Sequence, residues 1–307
     1  KRTIDLCTCT GLVWDGIKRD RLVWIGDMYP EMRALVTLYG RTQAVEDSLA
    51  FIVEQTPLPG WMNGMPCYSL WWIIILADYY KLTGCRDYVA GYTEYFEHLM
   101  RQIDAHVAED GEMRFPGIFL DWPTHDRPDE EPGVRALAIM AMDRAAALAR
   151  EFGLDGSAEL ADSIRARLEQ VEIRVQSAKQ ALGLKFAATG ALSAEEVELL
   201  TRGGARGMST FMSLFILDAV AQTAGVDKAV EMMVEYYGAM LDRGATSFFE
   251  DFDMEWLEGS GRIDEPTPPG LRDLHGDYGK FCYIGYRHSL CHGWSAGVIP
   301  FIEKYCK

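Results

Sequence analysis

The chain has 307 residues, of which 49% are hydrophobic and 25% are charged, and its formal net charge at pH 7 is −16. This length and composition are ordinary for a soluble globular protein that buries a sizeable core. So large an acidic excess argues against a nucleic acid or an anionic membrane surface as the partner, because both are negatively charged and are bound through clustered Lys and Arg.

Helical periodicity dominates the chain. It predicts a first helical fragment and then ten helices, over residues 3–12, 28–39, 42–54, 68–82, 87–107, 134–152, 158–181, 194–201, 208–224, 228–241 and 288–305. Several of them are followed by a glycine that can take the left-handed conformation, namely Gly40, Gly84, Gly153 and Gly225. Ser193 and Glu196 have the spacing of a capping box at the start of their helix.

About eleven helices with short links predict stacked helical hairpins. The count approaches six hairpins closed into a ring, an all-α (α/α)6 barrel. No linker or shift in composition divides the chain, so we predict one domain over residues 1–307. Period-two alternation is confined to residues 112–119 and 246–252. The longest irregular stretches, 13–27, 111–132 and 246–286, are candidates for functional loops, because long loops in compact domains are usually functional.

The seven cysteines form no even, closely spaced disulfide framework. Cys282, Cys291 and His292 are near one another in sequence, but no second ligand pair completes a tetrahedral site, so we predict neither a metal nor a cofactor. The longest apolar run, residues 70–77, is too short to cross a bilayer. No signal peptide is visible, and we expect a cytoplasmic location. The chain opens without an initiator Met, as an excerpt of a longer multidomain chain would.

The first motif that carries chemistry covers residues 14–27. It concentrates three carboxylates, two glycines and two tryptophans, namely Asp15, Asp20, Asp27, Gly16, Gly26, Trp14 and Trp24. A solvated charged turn is the simpler interpretation, since Asp is common in loops. A sugar site needs the same mixture, because carboxylates accept bonds from hydroxyls while indole faces cover the C–H faces of the ring. The residues alone leave these two interpretations equally open.

Two further motifs lie near the end of the chain. If residues 248–252 are extended, Phe248, Glu250 and Phe252 share one face, and the aromatic wall can tune the proton affinity of Glu250. Asp251 and Asp253 then lie on the other face, where we favour a solvating role. In residues 289–297, a structural role for His292 is favoured over a catalytic one, and Trp294 fits the core and a sugar platform equally well.

Four segments, taken in this order, resemble the α-L-rhamnosidases of glycoside hydrolase family 78: residues 15–27, 119–122, 245–250 and 289–297. The similarity runs from about residue 6 to residue 303, and the first motif is the specific one. The resemblance implies an (α/α)6 barrel, a rhamnose-containing carbohydrate as the partner, and hydrolysis with inversion at the anomeric carbon. It also implies β-sandwich domains on either side of the barrel, and none is present in these 307 residues.

The resemblance also implies roles for single residues. Asp20 stands in the place of the general acid and Glu250 in that of the general base, while Asp15 and Asp27 match carboxylates that bind rhamnose hydroxyls. His292 matches a residue that lines the site near the base. Further residues are expected to bind the sugar, some of them through its methyl group: Arg19, Trp24, Trp61, Trp122 and Trp294. Trp71 and Trp72 are weaker candidates for the methyl patch, because they lie in an apolar run that predicts core.

In an inverting hydrolase, the acid protonates the departing oxygen while the base activates a water on the opposite face of the ring. Asp15 and Asp27 are expected to help keep Asp20 protonated by like-charge repulsion. Many members of the family have Glu where this chain has Asp20, so the acid reaches less far here. Two alternatives therefore remain, a sugar-binding barrel without catalysis and an (α/α)6 hydrolase that acts on another sugar.

Overall fold

Thirteen α-helices make up the described part of the computed structural model, which covers residues 1–306 without the side chain of Cys282. Lys307, the last residue of the predicted domain, lies outside the described residues. So does the side chain of Cys282, one of the seven cysteines considered above. The helices are α1 Arg2–Cys7, α2 Met28–Tyr39, α3 Gln43–Gln55, α4 Pro66–Thr83, α5 Arg86–Ala90, α6 Thr93–Asp104, α7 Glu130–Glu151, α8 Asp155–Leu168, α9 Lys179–Thr189, α10 Ala194–Thr201, α11 Ser213–Thr223, α12 Val226–Asp242 and α13 Val298–Tyr305. Short 3-10 helices cover Met62–Gly64, Trp122–Thr124, Met254–Leu257, Phe281–Tyr283 and Gly293–Gly297.

Six of these helices close into an inner ring. α2 packs on α4, α4 on α7, α7 on α9, α9 on α11, α11 on α13, and α13 back on α2. The remaining helices pack outside the ring, as α8 does on α7 and α12 on α11. The chain is all-helical, with no strand among the described residues, and the predicted (α/α)6 barrel is confirmed.

The burial pattern explains which helices are inner and which are outer. Residues 66–79 of α4 are all buried, because an inner helix is covered on every side. Both Trp71 and Trp72 are fully buried there and belong to the core. The outer helix α6 buries only one stripe at helical spacing, formed by Phe96, Leu99, Met100 and Ile103. None of the described helices is both long enough and apolar enough to span a bilayer.

The structure corrects three predicted helices. Residues 158–181 are not one helix: α8 ends at Leu168 and α9 begins at Lys179, because the Asp129 carboxylate accepts hydrogen bonds from three successive backbone N–H groups, those of residues 176–178. The predicted helix 87–107 is broken after Ala90 into α5 and α6, and only residues 298–305 of the predicted helix 288–305 are α-helical. The capping box of Ser193 and Glu196 is confirmed, with both reciprocal hydrogen bonds present.

The inner helices begin at one face of the barrel, where the long loops gather. Asp27, at the end of the first irregular stretch, is the N-cap of α2, and Tyr68 lies in the first turn of α4. The loop before α7 brings Trp122 against Phe281, which belongs to the third irregular stretch. The three predicted loops therefore meet above the amino ends of the inner helices.

Candidate active site

A cavity of about 300 Å³ opens where these loops meet. It is lined by Asp15, Arg19, Asp20, Trp24, Asp27, Met65, Tyr68, Phe119, Trp122, Glu250, Arg287, His292 and Trp294. The structure thus brings nine of the ten residues proposed from the sequence to one cavity. Trp61 is the exception and does not line it, since its ring packs edge-on against His106 and Phe115.

The first motif folds into a closed loop that presents its central residues to the cavity. The backbone N–H of Asp15 donates to the carbonyl of Leu22, and the Leu22 N–H donates to Asp15 Oδ1 at 2.9 Å. Arg19 and Asp20 lie between these two anchors. The base of the loop packs closely on the last motif, because a Cβ at Gly16 would lie only 2.8 Å from Nδ1 of His292.

Glu250 is buried, with only 2% of its side chain exposed, and it is held from several directions. Two guanidinium nitrogens of Arg19 donate to its two carboxylate oxygens, and the Ser289 N–H donates to Oε2 at 2.9 Å. Its backbone carbonyl accepts a hydrogen bond from the Trp294 indole N–H at 2.8 Å. The side chain of Glu250 is therefore fixed in orientation at the wall of the cavity, with its buried carboxylate paired with Arg19.

Asp20 contacts a different nitrogen of the same guanidinium. Arg19 Nε lies 3.3 Å from Asp20 Oδ1, while one of its terminal nitrogens lies 3.1 Å from Glu250 Oε2. The nearest oxygens of the two carboxylates are thus at most about 9 Å apart, an upper limit that admits both the roughly 6.5–9.5 Å of inverting hydrolases and the roughly 5–5.5 Å of retaining ones. The side chain of Asp20 is 31% exposed, whereas that of Glu250 is 2% exposed, so the two carboxylates differ in their access to solvent.

A second group of polar residues lies deeper in the cavity. Asp27 Oδ1 accepts a hydrogen bond from the Tyr68 hydroxyl at 2.8 Å, and Asp27 Oδ2 lies 3.1 Å from His292 Nε2. Burial raises the pKa of Asp27 to about 7, so this carboxyl holds a proton more readily than an ordinary Asp. Burial lowers the pKa of His292, which keeps its imidazole neutral. Nδ1 of His292 has no hydrogen-bond partner among the described residues and lies 3.8 Å from Glu250 Oε1.

Asp15 completes this group. Its side chain is buried, and burial raises its pKa to about 6, while nearby His292 acts in the opposite direction. The carboxyls of Asp15 and Asp27 can therefore donate as well as accept hydrogen bonds near neutral pH. Such a pair suits the hydroxyls of a sugar, which both donate and accept.

Aromatic side chains form the walls. Trp24 meets Tyr68 edge-on at 5.9 Å, and Trp122 stacks on Phe281 at 5.0 Å. Trp294 stacks on Phe211 at 4.8 Å and bonds the Glu250 carbonyl, so it serves the packing as well as the wall. These rings provide apolar surface beside the polar groups.

Four lining residues were not proposed from the sequence. Phe119 lies in the segment that carries the Asp121-Trp122 pair, and this position was a usable signal. Tyr68 and Met65 border an inner helix whose apolar run gives no sign of a site. Arg287 directly follows the third irregular stretch, and only the folded loop shows that it lines the cavity.

Two acids beside Glu250 differ from the solvating role that we favoured. Asp251 is half-buried, and its pKa is raised to about 7 by burial and by the neighbouring Asp121. Asp253 accepts a hydrogen bond from the Glu255 N–H and caps a 3-10 helix. Asp253 thus has a local structural role, and neither residue lines the cavity.

One group of described residues has the geometry to hold a metal ion. The possible ligand atoms of His125, Asp126 and Glu130 lie within 4.8 Å of one another. His125 Nδ1 is 3.0 Å from Glu130 Oε1, and the Asp126 N–H donates to Glu130 Oε2. These residues bind one another beside Trp122 and do not line the cavity.

No protein-family model and no curated protein sequence matches the chain. Solved structures do. A Klebsiella oxytoca rhamnosidase with rhamnose bound aligns over all of the chain with a TM-score of 0.68 and 20% identity. A family 78 rhamnosidase of Bacillus sp. GL1 aligns over 98% of it with a TM-score of 0.71 and 19% identity. The fold is that of the α-L-rhamnosidase barrels.

The likeness extends to a Streptomyces avermitilis α-L-rhamnosidase complexed with L-rhamnose, with a TM-score of 0.63, 16% identity and 98% of the chain covered. The chain spans 64% of the Klebsiella protein but only 34% and 31% of the Bacillus and Streptomyces proteins. At these identities the likeness establishes a glycoside hydrolase fold.

Proposed function

We propose that the protein is a glycosidase that removes terminal α-L-rhamnose with inversion of the anomeric carbon. The observation that carries this proposal is the pair of carboxylates, Asp20 and Glu250, that share the guanidinium of Arg19 in one cavity. Rhamnose itself is supported by the Klebsiella and Streptomyces proteins, whose structures contain it.

The two carboxylates are suited to different tasks. Asp20 is the more exposed and is the acid that donates a proton to the glycosidic oxygen as the bond to the anomeric carbon breaks. Glu250 is buried and paired with Arg19, and it takes a proton from the water that attacks the opposite face of the sugar. Their shared contact with Arg19 keeps the two carboxylates within about 9 Å of each other, a limit that admits the roughly 6.5–9.5 Å at which such a water fits.

The deeper residues hold the sugar. Asp15 and Asp27 bind ring hydroxyls, and Tyr68 and His292 fix the orientation of Asp27. Trp24 and Trp122 give the C6 methyl of rhamnose an apolar surface. The C6 hydroxyl of another sugar would find no hydrogen-bond partner on that surface.

Turnover of 4-nitrophenyl α-L-rhamnoside tests the proposal, beside a panel of other 4-nitrophenyl glycosides. We expect release of nitrophenol from the rhamnoside and at least about 100-fold lower kcat/KM for the other sugars, because a mismatched polar group in a tailored site is costly. The control is Glu250→Gln, which keeps the shape of the side chain and removes the base.

Each alternative gives a different result. A sugar-binding barrel would bind rhamnose and turn over no glycoside, and the Glu250→Gln variant would bind like the wild type. A hydrolase for another sugar would release nitrophenol from a different member of the panel. Either result would overturn the assignment of rhamnose hydrolysis.

A further inference from the structure

A second cavity, of about 340 Å³, reaches toward the carboxyl ends of the inner helices, where Gly190, Gln222 and Lys304 belong to its lining. Residues of five inner helices line it, among them Arg33 of α2, Arg144 of α7 and Phe215 of α11. Arg33 follows Asp27, the N-cap of α2, by six residues, which separates them by about 9 Å along the helix. We call this space the far-end cavity. It does not share a lining residue with the candidate active site.

Positive charge predominates in the lining of the far-end cavity, although the whole chain is strongly acidic. The charged lining residues are Arg33, Arg144, Lys304 and Asp218. Asp218 is already engaged, because its Oδ1 accepts from Lys304 Nζ at 2.6 Å and from the Tyr305 hydroxyl at 2.7 Å. Arg144 is likewise engaged, because it donates to both Asp78 and Asp143, so Arg33 is the one charged lining residue that has no carboxylate in contact among the described residues.

Arg33 is the cation least compensated. Within the described part of the chain, its one hydrogen bond goes to the hydroxyl oxygen of Tyr29 at 3.0 Å, and no carboxylate lies within 4.0 Å of its guanidinium. Asp78 and Asp218 act on Arg33 only at longer range, since the two oxygens of Asp78 bond the Tyr29 hydroxyl and Arg144 Nε, each at 2.9 Å. Half-buried Arg33 thus keeps most of its planar N–H fork available for a carboxylate, which it can bind through two parallel hydrogen bonds.

Apolar side chains form one part of the remaining wall. Phe186, Phe215 and Phe301 line the cavity together with Leu214 and Pro300. Inorganic anions would leave this surface unused, whereas a hydrocarbon or aromatic body would cover it. We propose that the far-end cavity binds a small organic acid with an aromatic or apolar body, and that Arg33 holds its carboxylate.

Isothermal titration calorimetry with 3-phenylpropionate and its uncharged amide tests this proposal on the full chain. We expect a Kd for the acid below about 1 mM, and at least tenfold weaker binding of the amide and of inorganic phosphate. Saturating L-rhamnose should leave the titration unchanged, because the two cavities are separate. Equal binding of acid and amide would refute the role of the carboxylate, and binding of phosphate alone would refute the role of the apolar wall.

Two variants and one control locate the site. Arg33→Met should weaken binding of 3-phenylpropionate at least tenfold, and Ala187→Trp should block it by filling the cavity without touching Arg33. Arg174→Met, at an exposed arginine paired with Glu172, should bind like the wild type. If the acid does not bind to the wild type, or binds unchanged to Ala187→Trp, the cations serve only to balance the negative carboxyl ends of the inner helices, and the proposal is wrong.

Discussion

Replacing Arg19 with Met removes the cation that holds both proposed catalytic carboxylates. Glu250 is 2% exposed and Arg19 is 16% exposed, so this ion pair is largely buried. Removing one partner of such a pair typically costs about 3–5 kcal/mol, because the other charge stays buried without compensation. The Ser289 N–H still donates to Glu250 in the variant, and we therefore expect the lower end, about 3 kcal/mol of unfolding free energy.

Urea unfolding at pH 7, followed by tryptophan fluorescence, measures this cost. Glu250→Gln in the Arg19→Met background should recover part of it, because the neutral amide leaves no buried charge. The double-mutant cycle should give a coupling of about 2 kcal/mol. The control is Arg202→Met, whose pair with Glu198 is 62% and 71% exposed and should contribute under about 1 kcal/mol.

The outcome shows whether the ion pair of Arg19 and Glu250 stabilises the fold as a buried pair or only as much as an exposed surface pair. If Arg19→Met costs no more than Arg202→Met, or if Glu250→Gln fails to recover stability in the variant, Arg19 does not compensate Glu250 and the geometry proposed for the base is wrong.

Three further predictions concern the acid, the buried carboxyls and the positioning of Asp27. Asp20→Asn should slow hydrolysis of a rhamnoside with a poor leaving group by about 10²–10⁴-fold and that of the nitrophenyl rhamnoside much less; equal slowing would place the acid elsewhere. Burial raises the pKa of Asp121 to about 7, so its folded form binds a proton more tightly than the unfolded chain. Its stabilising effect is complete below about pH 4 and is lost as the pH rises through about 7; urea unfolding at pH 5 and 8 should show a decrease that Asp121→Asn reduces, and an unreduced decrease would contradict this. Gly26→Ala would place a Cβ 2.5 Å from the Tyr68 ring, so it should lower kcat/KM at least about tenfold, as Tyr68→Phe should; unchanged kinetics in both variants would show that Asp27 needs no such support.

Much of the fold was open to prediction because burial leaves a pattern in the sequence. The continuous apolar run in α4 marks an inner helix, and the single stripe of α6 marks an outer one. The break between α8 and α9 could not be predicted, since the Asp129 carboxylate that binds the N–H groups of residues 176–178 lies more than forty residues away in sequence. Local periodicity carries no information about such a distant partner.

The candidate site divides in the same way. Asp15, Asp20 and Asp27 were found because polar and aromatic residues crowd into one irregular stretch, and the fold brings them together with Glu250. Tyr68 was missed because it lies at the start of an apolar helix, where a tyrosine normally indicates packing. Trp61 shows the opposite error, since an aromatic residue in a loop suggests a platform until its contacts with other rings are known.

The anomeric form of the first product tests the central claim most directly. Proton NMR during hydrolysis of 4-nitrophenyl α-L-rhamnoside should show β-L-rhamnose first, with the α anomer following only as the free sugar equilibrates. This result is expected because water activated by Glu250 attacks the face opposite the leaving group protonated by Asp20. Initial release of α-L-rhamnose, or no release of rhamnose by a folded protein, would contradict the account.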